Sequence, residues 1–280
     1  MLELKNISFA YKAQSPVINN VSLTIATGEF LAIAGRNGSG KTTLTRLIMA
    51  LKKPTSGEIT LDGKTTKKSG PADMARSIGY VFQNPDRQIF HDTVIAEVAY
   101  GPEQLGYSPD KVTEMVNQAL TATGLTELAS AYPATLSRGQ KQRLAIASAL
   151  AMEPKMLILD EPTSGQDNIE RNQLMKLLAD LNKQGLAILL ITHDMELLAA
   201  YATRVIVMDH GTNAYDGTPA TLFKNTAQLK KWGLTEPTAM NISQNLEDLG
   251  IVPTTSITDL SNHLIDMMGR STHAKSSAAY

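Results

Sequence analysis

The sequence predicts an α/β fold: a parallel α/β core with an N-terminal antiparallel β-layer, a helical subdomain and a small C-terminal helical extension. Three observations predict it. A glycine-rich loop stands between an apolar run and a helical stretch, the strand–loop–helix order of a phosphate-binding unit. Two later runs are apolar throughout and stop at polar residues, as parallel strands buried on both faces do. Short alternating segments bracket the glycine-rich unit, the pattern of a half-exposed antiparallel sheet.

The alternating segments fall at residues 2–10, 21–33 and near 57–63, where Asp62-Gly63 is a turn signal. The glycine-rich loop is Gly35-Arg36-Asn37-Gly38-Ser39-Gly40-Lys41-Thr42, preceded by Phe30-Leu31-Ala32-Ile33-Ala34 and followed by a helix through Thr43. Glycines let backbone N–H groups turn inward around phosphates, and a helix start adds the positive end of a dipole. Lys41 is placed to reach the β- and γ-phosphates, and the Thr42 hydroxyl to ligate Mg²⁺. Nucleotide binding is the expectation, with Gly35 to Thr43 as the cradle.

Met156-Leu157-Ile158-Leu159-Asp160-Glu161 reads as a buried strand ending in two carboxylates. Ligands gather at the carboxyl ends of such strands. Asp160 is expected to hold Mg²⁺ and Glu161 to polarise a water that attacks the γ-phosphate. Ala187-Ile188-Leu189-Leu190-Ile191-Thr192 is a second buried strand, and His193 at its end is placed to hydrogen-bond a γ-phosphate oxygen.

From about Asp92 to Pro133 the pattern is helical, with Val112, Met115, Val116, Ala119 and Leu120 on one apolar face. Leu136-Ser137-Arg138-Gly139-Gln140 then opens another helix. This is a second cradle of N–H groups. Because the first loop covers the phosphates from one side, the second is expected to serve a nucleotide held by another copy.

After His193 come a short helix and a strand pair, Arg204-Val205-Ile206-Val207-Met208 with a turn at His210-Gly211, and Asp216-Gly217-Thr218-Pro219 punctuates the end of the core. The domain expectation is therefore 1–228 for the nucleotide-binding domain, with its helical subdomain at about 92–150, and 229–280 for the extension. In the extension Ile242, Leu246 and Leu249 form one helical stripe. Ile257, Leu260, Leu264 and Met267 or Met268 form another, capped by Thr255 or Ser256. Two such short helices need a surface to pack on, either the parent domain or a second subunit. Arg270 to Tyr280, small and polar, reads as a frayed tail.

These motifs, in this order, resemble the ATP-binding subunit of an ATP-binding cassette (ABC) transporter from about residue 2 to residue 225. The resemblance implies further roles. Tyr11 matches the aromatic that stacks on adenine, and Gln83 the glutamine that touches Mg²⁺ and senses the membrane partner. Ser137, Gly139 and Gln140 match the signature loop, Asp160 and Glu161 the Walker B pair, Asp167 the D-loop and His193 the switch histidine. Two positions depart from the family pattern: Arg138 stands where the signature has its first glycine, and Gln166 where the D-loop has leucine before Asp167.

Gln83-Asn84-Pro85-Asp86-Arg87-Gln88-Ile89-Phe90 and the stretch Gly233-Leu234-Thr235-Glu236-Pro237 onward are similar to the energy-coupling factor (ECF) branch, which powers vitamin and metal-ion uptake. That resemblance implies ATP and Mg²⁺ as cofactors and a homo- or heterodimer of ATPase subunits held partly by the extension. It also implies a membrane scaffold subunit, a substrate-binding membrane subunit, and a peripheral position on the cytoplasmic face of a prokaryotic cell membrane. Asp86 becomes a candidate salt-bridge partner for arginines of the scaffold.

Composition agrees. The 280 residues are 42% hydrophobic with a formal net charge of −1, enough for one substantial domain and no basic track for nucleic acid. No cysteine is present, which excludes disulfides and thiolate–metal sites. No apolar run approaches the roughly 18 residues of a membrane span, and no signal peptide is evident at Met1-Leu2-Glu3-Leu4-Lys5. Two other classes of P-loop protein share part of this pattern. An ABC-type ATPase acting on DNA or the ribosome usually carries long coiled-coil insertions or two cassettes. A solitary P-loop kinase or GTPase would leave Ser137 to Gln140 as a mere helix start.

Overall fold

The computed structural model describes residues 1–12 and 15–276, with side chains of the last helix as far as Met267. From the N-terminus, β1 (Leu2–Lys12) and β2 (Ser15–Ile25) precede β3 (Phe30–Ala34), helix α1 (Lys41–Ile48), β4 (Ser56–Leu61) and β5 (Lys64–Thr65). A short α2 (Pro71–Ala75) leads to β6 (Ile78–Val81), followed by α3 (Val94–Gln104), α4 (Pro109–Thr123) and α5 (Arg138–Leu150). Next come β7 (Met156–Asp160), α6 (Asn168–Lys183), β8 (Ala187–Ile191), α7 (Met195–Tyr201), β9 (Arg204–Asp209) and β10 (Thr212–Gly217). The chain continues through α8 (Pro219–Leu222), α9 (Thr226–Lys231), α10 (Thr238–Asn245) and α11 (Ile257–Ser276).

The strands sort into two sheets, and the segment expected at 21–33 divides between them: β2 through Ile25 joins the antiparallel layer, whereas Phe30–Ala34 lies in the parallel sheet. The antiparallel layer has the order β2-β1-β4-β5, and its β4–β5 turn uses Asp62 and Gly63 at positive φ, as a tight hairpin requires. The second sheet has the order β10-β9-β3-β8-β7-β6, parallel except for β10 at its edge. Every residue of β3, β7 and β8 is buried, which is why these runs carry no alternation. Arg204 ties the two sheets together, donating to Asp216 on β10, to the Thr24 carbonyl on β2 and to Glu29 just beyond that strand.

One cluster fills the space between the β-layer and the parallel sheet, where Ile7, Ile18, Val21, Leu44 and Ile48 meet Ile33 and Ile206. A second, with Ile146, Leu174 and Leu178, seats α5 and α6 on the other face. The predicted face of α4 is buried in the helical subdomain, where Val112, Val116 and Leu120 pack against Val94 and Val98 of α3 and Leu144 of α5.

Packing runs on through residue 228 without a break. Trp232, Leu234 and Met240 join Ala32, Ala34, Val205, Val207 and Phe223 in one cluster, so the parent domain receives the start of the extension. The predicted stripe of α10 is not the buried one. Ile242 and Leu249 are exposed, and Ala239, Met240 and Ser243 face inward. The helix ends at Asn245 and a 3-10 turn over Glu247–Leu249 follows, so Leu246 and Leu249 leave the helical phase that placed them beside Ile242. Ser256 caps α11, accepting from the Asp259 N–H at 3.1 Å, and Leu260 is buried with Leu264 and Met267 partly covered beside it. Ile257, the first residue of that stripe, is exposed. The helix runs to Ser276, beyond Arg270 where a frayed tail was expected, because no proline interrupts it. Residues 277–280 of that expected tail lie outside the described residues.

Removing the Trp232 side chain should therefore act as a core truncation. Trp232→Ala is expected to lower the unfolding free energy by about 3–5 kcal/mol in urea titrations. A loss below about 1 kcal/mol would detach residues 229–240 from the core.

Candidate functional site

Leaving β3, the chain turns at Gly35 with φ 140°, where a side chain would collide with the Met208 carbonyl. Gly40, at φ 105°, stands directly before α1, and a Cβ there would meet Ile18 Cδ1 at 2.7 Å. With glycine as its N-cap, α1 has no side chain satisfying its first N–H groups, which are left for a ligand. Ser39 is buried beneath the loop and its hydroxyl has no partner. Lys41 Nζ donates to the carbonyls of Gly35 at 2.7 Å and Arg36 at 3.0 Å. Burial pushes its ammonium pKa down, while the Glu161 and Asp160 carboxylates pull it back up.

Asp160 ends β7 as a buried carboxylate held by Thr42 Oγ1 at 3.0 Å and the Tyr80 hydroxyl at 3.4 Å. Burial raises its pKa above the usual carboxylate range, against the pull of those two donors and of Lys41. Tyr80 itself is pushed up to about 12, chiefly by burial, so its phenol stays protonated and able to donate. The next residue, Glu161, adopts φ 50°, a strained conformation for a side chain of its kind. Its N–H is fixed to the Ile191 carbonyl at 2.9 Å, and its carboxylate lies 2.7 Å from His193 Nδ1. His193 keeps 72% of its side chain exposed, so its other ring nitrogen is open to a ligand.

Of the residues expected from sequence, Gly35, Arg36, Asn37, Gly38, Gly40, Lys41, Thr42, Thr43, Gln83, Asp160, Glu161 and His193 line a single cavity of about 680 Å³. Tyr11 stands outside its wall. It is half exposed, lies edge-on to Phe9 with centroids 4.9 Å apart, and has its hydroxyl 3.5 Å from Arg46. Its phenol pKa is lowered, first by the Thr43 side chain and then by Arg46.

Ser137, Gly139, Gln140 and Asp167 do not line the cavity. Ser137 and Gln140 form a reciprocal capping box at the start of α5, with bonds of 3.2 and 2.8 Å. Asp167 caps α6, accepting from the Ile169 and Glu170 N–H groups at 2.8 Å. The two departures from the family pattern brace this neighbourhood. The Arg138 guanidinium rests on Gly165, so that a Cβ there would come within 2.8 Å of it, and Gln166 donates to the Pro162 carbonyl at 3.3 Å.

The cavity also has a wall that sequence reasoning missed, made by Val17 and by Gly233, Leu234 and Thr235. Arg36 packs on Gly233, where any side chain would strike it. No residue pattern announces this approach, because it arises from how α9 docks on the core. Tyr80 was missed too, although a tyrosine in a buried strand signals a phenol in need of a partner.

The uncapped helix start, the unpartnered Ser39 hydroxyl and the Lys41 ammonium suit a nucleoside triphosphate. Thr42, Asp160 and Gln83 offer hard oxygen donors of the kind Mg²⁺ takes. Among the described residues no three His, Cys, Asp or Glu side chains gather into a metal site, so phosphate oxygens would have to complete such a shell.

Comparison with known proteins agrees with this geometry. The ABC transporter family profile matches residues 18–164. A putative ABC transporter ATP-binding protein from Pyrococcus furiosus is 41% identical over 93% of this chain and 98% of its own length. An energy-coupling factor transporter ATP-binding protein, EcfA, from Methanocaldococcus jannaschii is 38% identical over 90% of this chain and 91% of its own. Some relatives are longer: the chain spans 42% of a putative ABC transporter ATP-binding protein from Methanosarcina mazei. Among solved structures, cbiO1 from Clostridium perfringens, part of the ABC transporter complex cbiONQ, superposes with a TM-score of 0.76 at 36% identity, over 82% of this chain and 93% of that one. A dimeric cassette in a post-hydrolysis state with ADP and Pi gives 0.69 at 32% identity, over 78% and 99%.

The raised pKa of Asp160 makes a testable statement about stability. A carboxyl whose folded pKa lies above its unfolded value, about 4, carries no penalty at lower pH. The penalty grows as pH rises and is complete above the folded pKa. Asp160→Asn should thus raise the thermal midpoint at pH 7 by a few degrees without nucleotide, with the gain vanishing near pH 4. A lower midpoint at pH 7 would show that the Thr42 and Tyr80 bonds outweigh the desolvation.

Proposed function

The chain belongs to the ABC transporter family, and from that membership we propose that it is the ATP-hydrolysing subunit of an ECF-type importer. Two such subunits close on two ATP molecules, hydrolyse them and reopen, and the movement drives uptake of a vitamin or metal ion through membrane partners. One observation carries this reading. Lys41, Asp160, Glu161 and His193 converge in one cavity, whereas the helix-start cradle at Ser137 stands outside it, which supports a role for that cradle on the nucleotide of another subunit.

The proposed roles draw on this geometry and, for Tyr11, Ser137, Gly139, Gln140 and Asp167, on the family resemblance. Backbone N–H groups from Gly35 to Thr43 receive the phosphates, Lys41 neutralises the β- and γ-oxygens, and Tyr11 stacks on adenine. Mg²⁺ held by Thr42, Asp160 and Gln83 would draw charge from the γ-phosphate. Glu161, partly buried and fixed at φ 50°, takes a proton from the attacking water as its oxygen bonds to phosphorus and ADP departs. His193 contacts that carboxylate through Nδ1 and leaves its other ring nitrogen free to face a γ-oxygen. Ser137, Gly139 and Gln140 embrace the γ-phosphate of the facing subunit, with Asp167 beside the same interface.

The membrane-facing surface is proposed at the segment after Gln83. Ile89 packs into the helical subdomain, but Phe90 is 64% exposed and stands edge-on to Tyr100 at 5.1 Å. Asp86 is already paired with Lys141 at 2.8 Å, so a scaffold arginine would have to compete for it. The names of the EcfA relative and of the cbiONQ complex support the ECF reading and a scaffold partner. No helix among the described residues is long and apolar enough to cross a membrane, consistent with peripheral attachment through partners.

Glu161→Gln should leave ATP binding intact and slow hydrolysis by about 100-fold or more. A rate within about threefold of the original would remove Glu161 from this role. Sharing of the site is tested by mixing a Ser137→Arg subunit with a Lys41→Ala subunit, which leaves one of two composite sites unspoiled. Activity above that of either variant alone is expected; none, in demonstrable heterodimers, would overturn the sandwich.

A further inference from the structure

We propose that Glu170 is a built-in stand-in for phosphate: in the lone subunit its carboxylate fills the anion seat of the Ser137–Gln140 loop and must leave before the facing subunit's ATP can enter. The proposal rests on the shared-site reading above and adds a control to it. Ser137 Oγ donates to Glu170 Oε1 at 3.1 Å. The same carboxylate lies against Gly139, where a Cβ would come within 2.6 Å of both its carbon and Oε1. That contact buries Gly139, although Ser137 and Arg138 beside it are exposed.

The electrostatics fit a borrowed anion. The first turn of α5 contains no acidic residue, and Arg138 and Lys141 lie at its start. A helix N-terminus favours negative charge, and here α6 supplies it. Glu170 sits in the first turn of α6, with its N–H held by the Asp167 carboxylate at 2.8 Å. One serine hydroxyl and one glycine face cannot serve a carboxylate and a γ-phosphate together, and two anions at contact distance repel. Each arriving ATP therefore displaces Glu170. The element that yields is the turn that follows Asp167, so seat occupancy and D-loop position change together.

A purely structural role predicts the opposite result, since loss of a brace would loosen Ser137 and weaken phosphate capture. The two are separated by ATP titration of dimer formation, followed by light scattering, in the full chain carrying Glu161→Gln to suppress turnover. Adding Glu170→Ala should lower the ATP concentration for half-dimerisation by about fivefold. Glu170→Gln, which keeps the shape and an acceptor oxygen but not the charge, should fall between. ATP affinity of the lone subunit, measured with Ser137→Arg to prevent pairing, should stay the same in both. An unchanged or higher midpoint for Glu170→Ala, in a parent that dimerises with ATP, overturns the stand-in and leaves the shared site standing. A parent that does not dimerise overturns the shared site, and the stand-in falls with it.

Discussion

In a parallel sheet every strand delivers its carboxyl end to the same edge, and which side chains meet there depends on register. Here β8 is the reference strand. Its last residue, Ile191, pairs with Ile33 of β3 on one side and Asp160 of β7 on the other. That alignment brings the glycine loop, the carboxylate pair and His193 to one level. A slip of one residue would turn Asp160 to the opposite face and break its bond with Thr42. Complete burial of β3, β7 and β8 prevents the slip, because a shifted register would bury polar residues without partners.

The same burial makes the site costly to the fold. Asp160 is desolvated, Lys41 is desolvated, and Glu161 is held in a conformation its residue type avoids. Each of these lowers stability without ligand; phosphate charge entering the cavity would offset the desolvation of Lys41, and a Mg²⁺ carried with it that of Asp160. Tyr80 and Thr42 limit the cost by giving Asp160 two hydroxyl donors, one of which remains protonated throughout the physiological range.

The strands, loops and caps of this machine were legible because local chemistry announces them. Unbroken apolar runs gave β3, β7 and β8, Asp62-Gly63 gave a turn, and Leu136 to Gln140 gave a helix start, whose capping box only the fold reveals. Contacts between segments remote in sequence were not legible. Nothing in Gly233-Leu234-Thr235 says that it closes the cavity against Arg36, because the docking of Trp232 on the core decides that. The phase of α10 was misread for a related reason: its stripe was drawn past Asn245, where the helix stops. Asp86 looked free in sequence, and only the fold places Lys141 beside it.

The two helix starts now explain each other. At α1 the N-cap is glycine, no side chain reaches the first N–H groups, and the chain's own cavity surrounds them. At α5 the serine and glutamine caps are both engaged, and a carboxylate from α6 covers the glycine between them. At the open seat no side chain has to leave the first N–H groups before phosphate binds, although Lys41 exchanges its bonds to the Gly35 and Arg36 carbonyls. A satisfied seat exchanges partners, so its net gain is small until a second subunit adds its own contacts. On the proposed shared-site reading, an asymmetry of this kind would let one subunit load ATP alone and reserve closure for the loaded pair.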